Sequence, residues 1–384
     1  MKIKLLSVSI GVFALFSSSL KAQITIDSTH LAQIGVSYYE VTDNNTVYLP
    51  GPSGTNQTWN FTNLNAHSFT WSNLVNPATT PGGASFPTSN VAIEDGGGSY
   101  VYARHTQSDF RLVGVSIFGY DINVIPNEKV LVFPATYNTS FTDTMSGSLT
   151  IAGAVIGAPF DSVRFKNTKH KHVLADAWGS ISTPVDTYAA VRFYERALVR
   201  DSTWGKLFGF WTLIDNTSDS SHTYTWYTND ATIGVPLITL EYDKELGETT
   251  SIKWHSSSLP CLNPDIAAEN INFPVVDDES ITVTWANGNG TSRIVLASEA
   301  VVDDFPEVGN TYTANSVYGN SGTSLGNSFV VYNGTGSSVS ITGLTPNTTY
   351  HFAVIEYDCS PERYYSEMPL IGDATTTFDV SIQN

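Results

Sequence analysis

The feature that most constrains the fold is a short run near the C-terminus, residues 344–350, with the sequence LTPNTTY. It predicts the end of one strand, a tight corner, and a strand that opens on Tyr350 and continues to Tyr357. In a β-sandwich, a tyrosine at such a corner can return its hydroxyl to the backbone just upstream and join the two sheets. Leu344 and Tyr350 therefore predict an immunoglobulin-like β-sandwich in the last third of the chain.

The segments that flank the corner support this prediction. Residues 280–285 alternate between polar and apolar side chains, which places Ile281, Val283 and Trp285 on one face of a strand. Further strands are predicted at 269–273, 293–297, 329–332, 338–341 and 373–380, with a long glycine-containing insertion at 298–327. The predicted domain therefore occupies residues 269–380.

This domain resembles a fibronectin type III domain in Trp285, in the corner at 344–346 and in Tyr350. More narrowly, the segments 283–290, 312–315 and 329–336 resemble a version of the domain that is common in secreted proteins of the Bacteroidetes. The resemblance implies a spacer or docking module, because domains of this kind are seldom catalytic. Such a fold-level resemblance does not fix a function.

The region before this domain also predicts strands, at 37–41, 99–103, 129–133, 190–194 and 222–227. No helical periodicity is sustained, so we predict an all-β chain with a large antiparallel domain at 23–258. A segment rich in serine and proline predicts a linker at 259–268. Two local signatures, at 51–61 and 177–188, resemble segments of secreted Bacteroidetes proteins of unknown function.

The first 22 residues predict an export signal. Lys2 and Lys4 precede an apolar stretch at 5–16 that is short for a membrane anchor, and cleavage is expected after Ala22. We therefore expect an extracellular, cell-surface or, without a sorting domain, periplasmic protein that does not span a membrane. In an oxidising compartment Cys261 and Cys359 are expected to form a disulfide, the alternative being two free thiols.

The charge balance limits the class of partner. The chain has 36 Asp and Glu against 18 Lys and Arg, which gives a formal net charge of -18. Polyanions are repelled by a strongly acidic protein, so nucleic acid and anionic membrane surfaces are disfavoured as partners. An extracellular glycan or protein is the expected ligand.

Candidate sites for chemistry are few. His170 and His172 share one face of a predicted strand, and we interpret them as a solvated strand end rather than a metal site. The common hydrolase and phosphate-binding motifs are absent from the sequence, so we predict no catalytic residue, metal or cofactor.

Aromatic side chains supply the remaining candidate. Seven of the eight tryptophans precede the linker, and each is expected more often in a core than on a binding surface. The segment 204–211 packs four aromatic residues between glycines, so we predict an exposed ligand-binding patch at Trp204, Phe208, Phe210 and Trp211.

These observations favour an exported, noncatalytic protein for binding or adhesion. Its N-terminal domain is expected to bind the ligand, and the fibronectin-like module to serve as a spacer or docking platform. The alternatives are a secreted, glycan-acting hydrolase with a catalytic N-terminal domain and a structural component of the cell surface. Paired carboxylates in a concave cleft would favour the hydrolase.

Overall fold

The computed structural model describes residues 23–44, 47–360, 362–365 and 367–378. The predicted signal peptide and the end of the last predicted domain at residue 380 lie outside the described residues. The described part is all-β, as predicted, and its helical segments are short 3-10 turns. The two predicted regions differ in how their strands pair.

The first region contains 13 strands joined in one sheet. They are β1 (Ser37–Asp43), β2 (Gly54–Asn60), β3 (Ser68–Val75), β4 (Val91–Glu94), β5 (Tyr100–His105), β6 (Asp109–Ile117), β7 (Tyr120–Val132), β8 (Ser140–Ala152), β9 (Ser162–Ser182), β10 (Thr187–Leu207), β11 (Phe210–Tyr227), β12 (Ile238–Asp243) and β13 (Glu248–Ser256).

This sheet closes on itself. The hydrogen-bonded order starts at β10 and runs through β11, β12, β13, β1 and β3 and on to β9. The order returns to its first strand, because β9 also pairs with β10. Twelve of the 13 strands form this barrel-like circuit, and β2 lies outside it. The 21-residue strand β9 makes closure possible, since one edge pairs with β10 and the other pairs with β8 and then with β2.

The pairing of β2 with β9 departs from the antiparallel arrangement predicted for this region, because it is parallel. It brings the two sequence signatures at 51–61 and 177–188 side by side. Gly179 on β9 is required there, since a Cβ atom at this position would overlap the backbone carbonyl of Gln57. The two signatures are therefore halves of one structural unit.

A buried ion pair holds this unit together. The Arg192 guanidinium donates two hydrogen bonds of 2.8 Å to the carboxylate of Asp176. It also donates to the backbone carbonyls of Pro50, Gly51 and Pro52, in the loop that leads into β2. One buried side chain thus fixes β9, β10 and the approach of β2. This clamp explains why β2 enters parallel to β9.

Four of the seven tryptophans in this region are core residues. Trp59, Trp226 and Trp254 belong to one buried cluster, and Trp178 belongs to a second. The rings of Trp59 and Trp226 meet edge to face, with centroids 5.7 Å apart. Most tryptophans before the linker therefore fill the core and are not available to a ligand.

The second region contains nine strands in two sheets of three and six strands. They are β14 (Glu269–Val276), β15 (Ser280–Ala286), β16 (Ser292–Ser298), β17 (Ser324–Leu325), β18 (Ser328–Gly334), β19 (Ser338–Thr342), β20 (Thr349–Asp358), β21 (Arg363–Tyr364) and β22 (Leu370–Thr375). The predicted last strand at 373–380 is displaced: β22 spans Leu370–Thr375, and the Thr377 N–H then donates to the Asp277 carbonyl outside the strand.

Residues from both of these sheets share one buried cluster, which includes Val283 and Trp285 from β15 and Val295 from β16. Leu344 and Tyr350 belong to the same cluster. The Tyr350 hydroxyl accepts a hydrogen bond of 3.0 Å from the Thr345 backbone N–H, and it donates to Glu299 at 3.2 Å. Tyr350 thus links the start of β20 to the corner five residues upstream.

The connection between the two regions is packed. Cys261 and Cys359 form a disulfide, which confirms the predicted bridge. Asn263 is buried, accepts a hydrogen bond of 2.7 Å from the Ala66 N–H and donates to Asn65 at 2.9 Å and to the Tyr364 carbonyl at 2.8 Å. The segment predicted as a linker therefore carries one side chain that bonds to both regions.

Replacing Arg192 by Met should strongly destabilise the first region, because Asp176 would be left buried without its partner. The expected loss in the free energy of unfolding is about 3–5 kcal/mol, measured by urea denaturation. The control Lys253→Met removes a half-exposed ion pair with Glu40 and should cost about 1 kcal/mol or less. Equal effects of the two substitutions would contradict the role assigned to the clamp.

Candidate binding surface

Two hairpins of the closed sheet end in the same unusual turn. The β10–β11 hairpin turns at Phe208 and Gly209, and the β6–β7 hairpin turns at Phe118 and Gly119. Their φ angles are 50° and 87° in the first turn and 51° and 79° in the second. Positive φ at both central residues defines the type I′ turn, which favours Asn or Gly at the first position. Each hairpin has phenylalanine there instead.

Phenylalanine at these positions has two costs. A bulky residue with positive φ is strained, by about 1 kcal/mol or more. The rings are also in water, since Phe118 is 88% exposed and Phe208 is 85% exposed. Neighbouring Phe210 is 78% exposed. Strained backbone clusters at functional sites, and contiguous exposed apolar surface is typical of interaction sites.

The strand register places both turns at one end of the closed sheet. Ala152 at the end of β8 pairs with Ser162, which pairs with Lys206, which pairs with Trp211 beside the Phe208 turn. The pairing of Val124 with Gly147 directs the β6–β7 hairpin toward the same end.

The turn between β8 and β9 adds two aliphatic side chains to this end. Val155 and Ile156 lie in a short 3-10 helix there, and both are exposed. We call the set Phe118, Val155, Ile156, Phe208 and Phe210 the apolar end. It is presented by three successive hairpin connections of one continuous sheet.

The predicted patch at 204–211 divides into two kinds of residue. Phe208 and Phe210 are exposed at the apolar end, whereas Trp204 and Trp211 are partly buried on the strands. The Arg164 guanidinium lies 4.2 Å from the centroid of the Trp211 ring, so one face of this indole is covered. Trp204 donates through Nε1 to the Ser202 hydroxyl at 3.2 Å.

Phe118 was missed by the sequence analysis, although a signal was present. Residues 117–120 read IFGY and residues 207–210 read LFGF, so the two turns share one pattern. An apolar residue followed by Phe-Gly and an aromatic residue repeats at both hairpins. The first copy has no tryptophan beside it, so the abundance of tryptophan that indicated the second copy did not indicate the first.

His170 and His172 point away from the interior, together with Arg196 across the strand pair. We call this side of β8–β11 the outer face. The intervening Lys169 and Lys171 lie on the inner face. The His170 Nδ1 atom lies 3.0 Å from the Thr144 hydroxyl. The histidine pair and the lysines thus occupy opposite sides of β9.

On the inner face, Lys169 and Lys171 each contact both Glu128 and Glu195, at distances from 2.6 to 3.0 Å. Burial alone would raise the pKa of Glu128, but the charges of Lys171 and Lys169 lower it below its ordinary value. Glu128 therefore stays ionised. A glycosidase general acid needs a raised pKa, so Glu128 does not fit that role.

The inner face also has a concave region that is lined by acidic residues. Its lining includes Asp219 on β11, Glu241 on β12 and Glu245 in the following turn, with Lys169 beside them. These carboxyls have no basic partner within ion-pair distance among the described residues. Among the described residues, this cleft thus gathers three carboxyls that form no ion pair around one cavity.

Two further observations concern partners in general. Within the described residues, no helix combines the length and the apolar character that crossing a membrane requires. The group Cys261, Cys359 and Asp358 brings three metal-ligating atoms together, but its two sulfurs are joined in the disulfide and are not thiolates.

Comparisons with known proteins give weak likenesses. No family model matches the chain, and no curated protein matches it. A human fibronectin type III domain matches 33% of this chain and 96% of its own length, with 14% identity and a TM-score of 0.22. Chicken CNTN1 FN1–FN3 domains match 74% of this chain and 94% of their own, with 12% identity and a TM-score of 0.20.

A β-1,2-glucanase from Parabacteroides distasonis matches 62% of this chain, with 8% identity and a TM-score of 0.19. The match spans 37% of the length of the glucanase. At these TM-scores the likenesses carry no argument about function. Fibronectin type III domains are thus weak structural neighbours of this chain, and its function has to be inferred from its own surfaces.

Proposed function

We propose that the protein is an exported, noncatalytic binding protein whose apolar end contacts a protein ligand. The observation that carries this proposal is the pair of Phe-Gly turns, because each one accepts backbone strain in order to expose an aromatic ring. Large exposed aromatic side chains are frequent energetic anchors of protein interfaces. The second region, assigned here to a fibronectin type III sandwich of the Bacteroidetes version, serves as a spacer or docking platform.

The chemistry of the apolar end favours a protein over a glycan as its ligand. Phe118, Phe208 and Phe210 stand beside the aliphatic Val155 and Ile156, and such a mixed apolar surface matches another protein. Sugar rings are bound by flat aromatic faces together with hydrogen-bonding groups. Trp211 would be the natural platform for a sugar, but Arg164 covers one of its faces.

The double substitution Phe118→Asn and Phe208→Asn tests this proposal. Asn-Gly is a preferred type I′ turn, so the variant keeps the hairpins while it removes both rings. Residues 23–384 would be screened against purified extracellular proteins, a glycan array and neutral lipid vesicles. We expect a protein ligand whose affinity falls at least about tenfold in the variant, since an interface anchor contributes about 2 kcal/mol or more.

The matched control is Leu246→Asn with Met368→Asn, which removes two exposed apolar side chains outside the apolar end. It should leave the affinity unchanged. The proposal is wrong if every ligand found binds the Phe118→Asn, Phe208→Asn variant as tightly as the unmodified protein. Binding confined to glycans or to vesicles would equally contradict a protein ligand.

A glycan-acting hydrolase is the second candidate, and the acidic cleft of the inner face favours it. If the cleft is catalytic, the protein should release reducing ends from a polysaccharide, and Asp219→Asn or Glu241→Gln should lower that rate at least about a hundredfold, the lower end for loss of a general acid or base. The expected result under the binding proposal is no release. Activity that disappears in both variants would establish the hydrolase.

A further inference from the structure

Four adjacent strands align a row of polar and basic side chains on the outer face. Thr142 on β8 pairs with His172 on β9, which pairs with Arg196 on β10, which pairs with His222 on β11. Together with His170 and with Lys244 from the turn after β12, this row lines a cleft. Like charges in directly opposite positions of a sheet repel each other. The row therefore does not stabilise the fold.

The same face stays basic toward the hairpin ends. Alternate positions along β9 and β10 carry Arg164, Lys166, Arg200 and Lys206 on the side of His170 and Arg196. The acidic residues of the same stretch occupy the intervening, inward positions; they are Asp143, Glu195, Asp201, Asp215 and Asp219. The four strands thus separate positive from negative charge across the thickness of one sheet.

The outer-face cations also lack carboxylate partners. Within the described ranges, none of the basic residues Arg164, Lys166, Arg196, Arg200, Lys206 and Lys244 forms an ion pair with a carboxylate. By contrast, Lys169, Lys171, Arg192, Lys253 and Arg293 all do. Acids outnumber bases by 36 to 18 in this chain, so partners are abundant. A band of unpaired cations in such a protein is a surface shaped for an external anion.

We propose that the outer face of β8–β11 binds a linear anionic polysaccharide, one that carries sulfate or carboxylate groups. This site goes beyond the apolar end and is independent of it, because it uses the strand face and not the hairpin tips. From Arg164 to His172 the band runs for eight residues, or about 26 Å at 3.3 Å per residue, which suits an extended chain better than a single small anion.

The side chains between the cations fit sugars. Hydroxyl groups alternate with the charges, at positions Thr142, Thr144, Ser146, Thr168, Ser218 and Ser220. They supply both donors and acceptors for sugar hydroxyls. Single-stranded nucleic acid is bound by stacking of its bases on large aromatic rings along its path. On this face, no phenylalanine, tyrosine or tryptophan occupies these four strands between the Tyr194 row and the Trp204 row. A polysaccharide is therefore the better match.

His222 makes the site sensitive to pH. Around His222 lie the Tyr194 hydroxyl, 2.7 Å from Nδ1, and the charged groups of Arg196, Lys244 and Asp243. Burial lowers the pKa of His222 the most, and the charges of Lys244 and Arg196 lower this pKa further. The charge of Asp243 raises it.

His170 and His172 face Thr142, Thr144 and Arg196, and Asp143 also lines their cleft. A bound anion favours the charged form of His222, so the complex takes up protons on binding. Affinity should therefore rise as the pH falls through the histidine range.

The test uses residues 23–384 and measures affinity for heparin and for polygalacturonate, with dextran as the neutral control. In about 50 mM NaCl both polyanions should bind, dextran should not, and raising the salt tenfold should abolish binding, because exposed charges are screened. The variant Arg196→Gln with Arg200→Gln should lose about tenfold in affinity. Arg104→Gln with Lys253→Gln removes two cations elsewhere and should change it less than about twofold.

Heparin also isolates the titration of His222, because the sulfates of heparin stay ionised between pH 7.5 and 5.5. Affinity should rise severalfold over this range, and His222→Gln should reduce the rise. The proposal is overturned if neither polysaccharide binds, or if the Arg196, Arg200 variant and its control behave alike. Binding of single-stranded DNA or of phosphatidylglycerol vesicles in preference to both polysaccharides would also overturn it.

Discussion

The ion pair between Arg192 and Asp176 is the interaction on which the first region depends. It is buried, doubly hydrogen-bonded, and extended by three backbone carbonyls from the loop before β2. A buried charge pair has to offset the loss of hydration of both groups, and the additional carbonyl acceptors help to do so here. By fixing β2 against β9, the clamp covers the core around Trp59 and Trp226. The long strands then project from this fixed base toward the apolar end.

The two candidate surfaces lie on neighbouring strands of the closed sheet, but they differ in physical character. Two residues of the apolar end, Phe118 and Phe208, break local rules in backbone angle and in exposure. The outer face is regular sheet, and only its charge distribution is unusual. A net charge of -18 suggested that anionic partners are disfavoured, yet a sum over the chain cannot register which side of a strand each charge occupies. Segregation across one sheet gives an acidic protein a basic face.

Much of the fold could be predicted from the sequence because its signals are local. Alternation located strands such as 280–285, and the corner marked Tyr350. The two cysteines of a chain that was expected to be exported indicated the disulfide. Closure of the sheet and the parallel entry of β2 could not be predicted, since they rest on contacts between residues far apart, such as Arg192 with Pro50. Alternation along 169–172 showed that lysines and histidines face opposite ways, but not which side is the interior. Phe118 was missed because the prediction of Phe208 rested on its tryptophan neighbours, and residues 117–120 have none.

The central claim is that Phe118 and Phe208 are present for contacts outside the chain and not for folding. Its most direct test is the free energy of urea unfolding of the Phe118→Asn, Phe208→Asn variant beside the unmodified protein. The account predicts that the variant is as stable or more stable, by up to about 1 kcal/mol for each turn, because asparagine accepts positive φ with less strain. A variant less stable by more than about 1 kcal/mol in total would show that the rings stabilise the fold, and it would contradict the account.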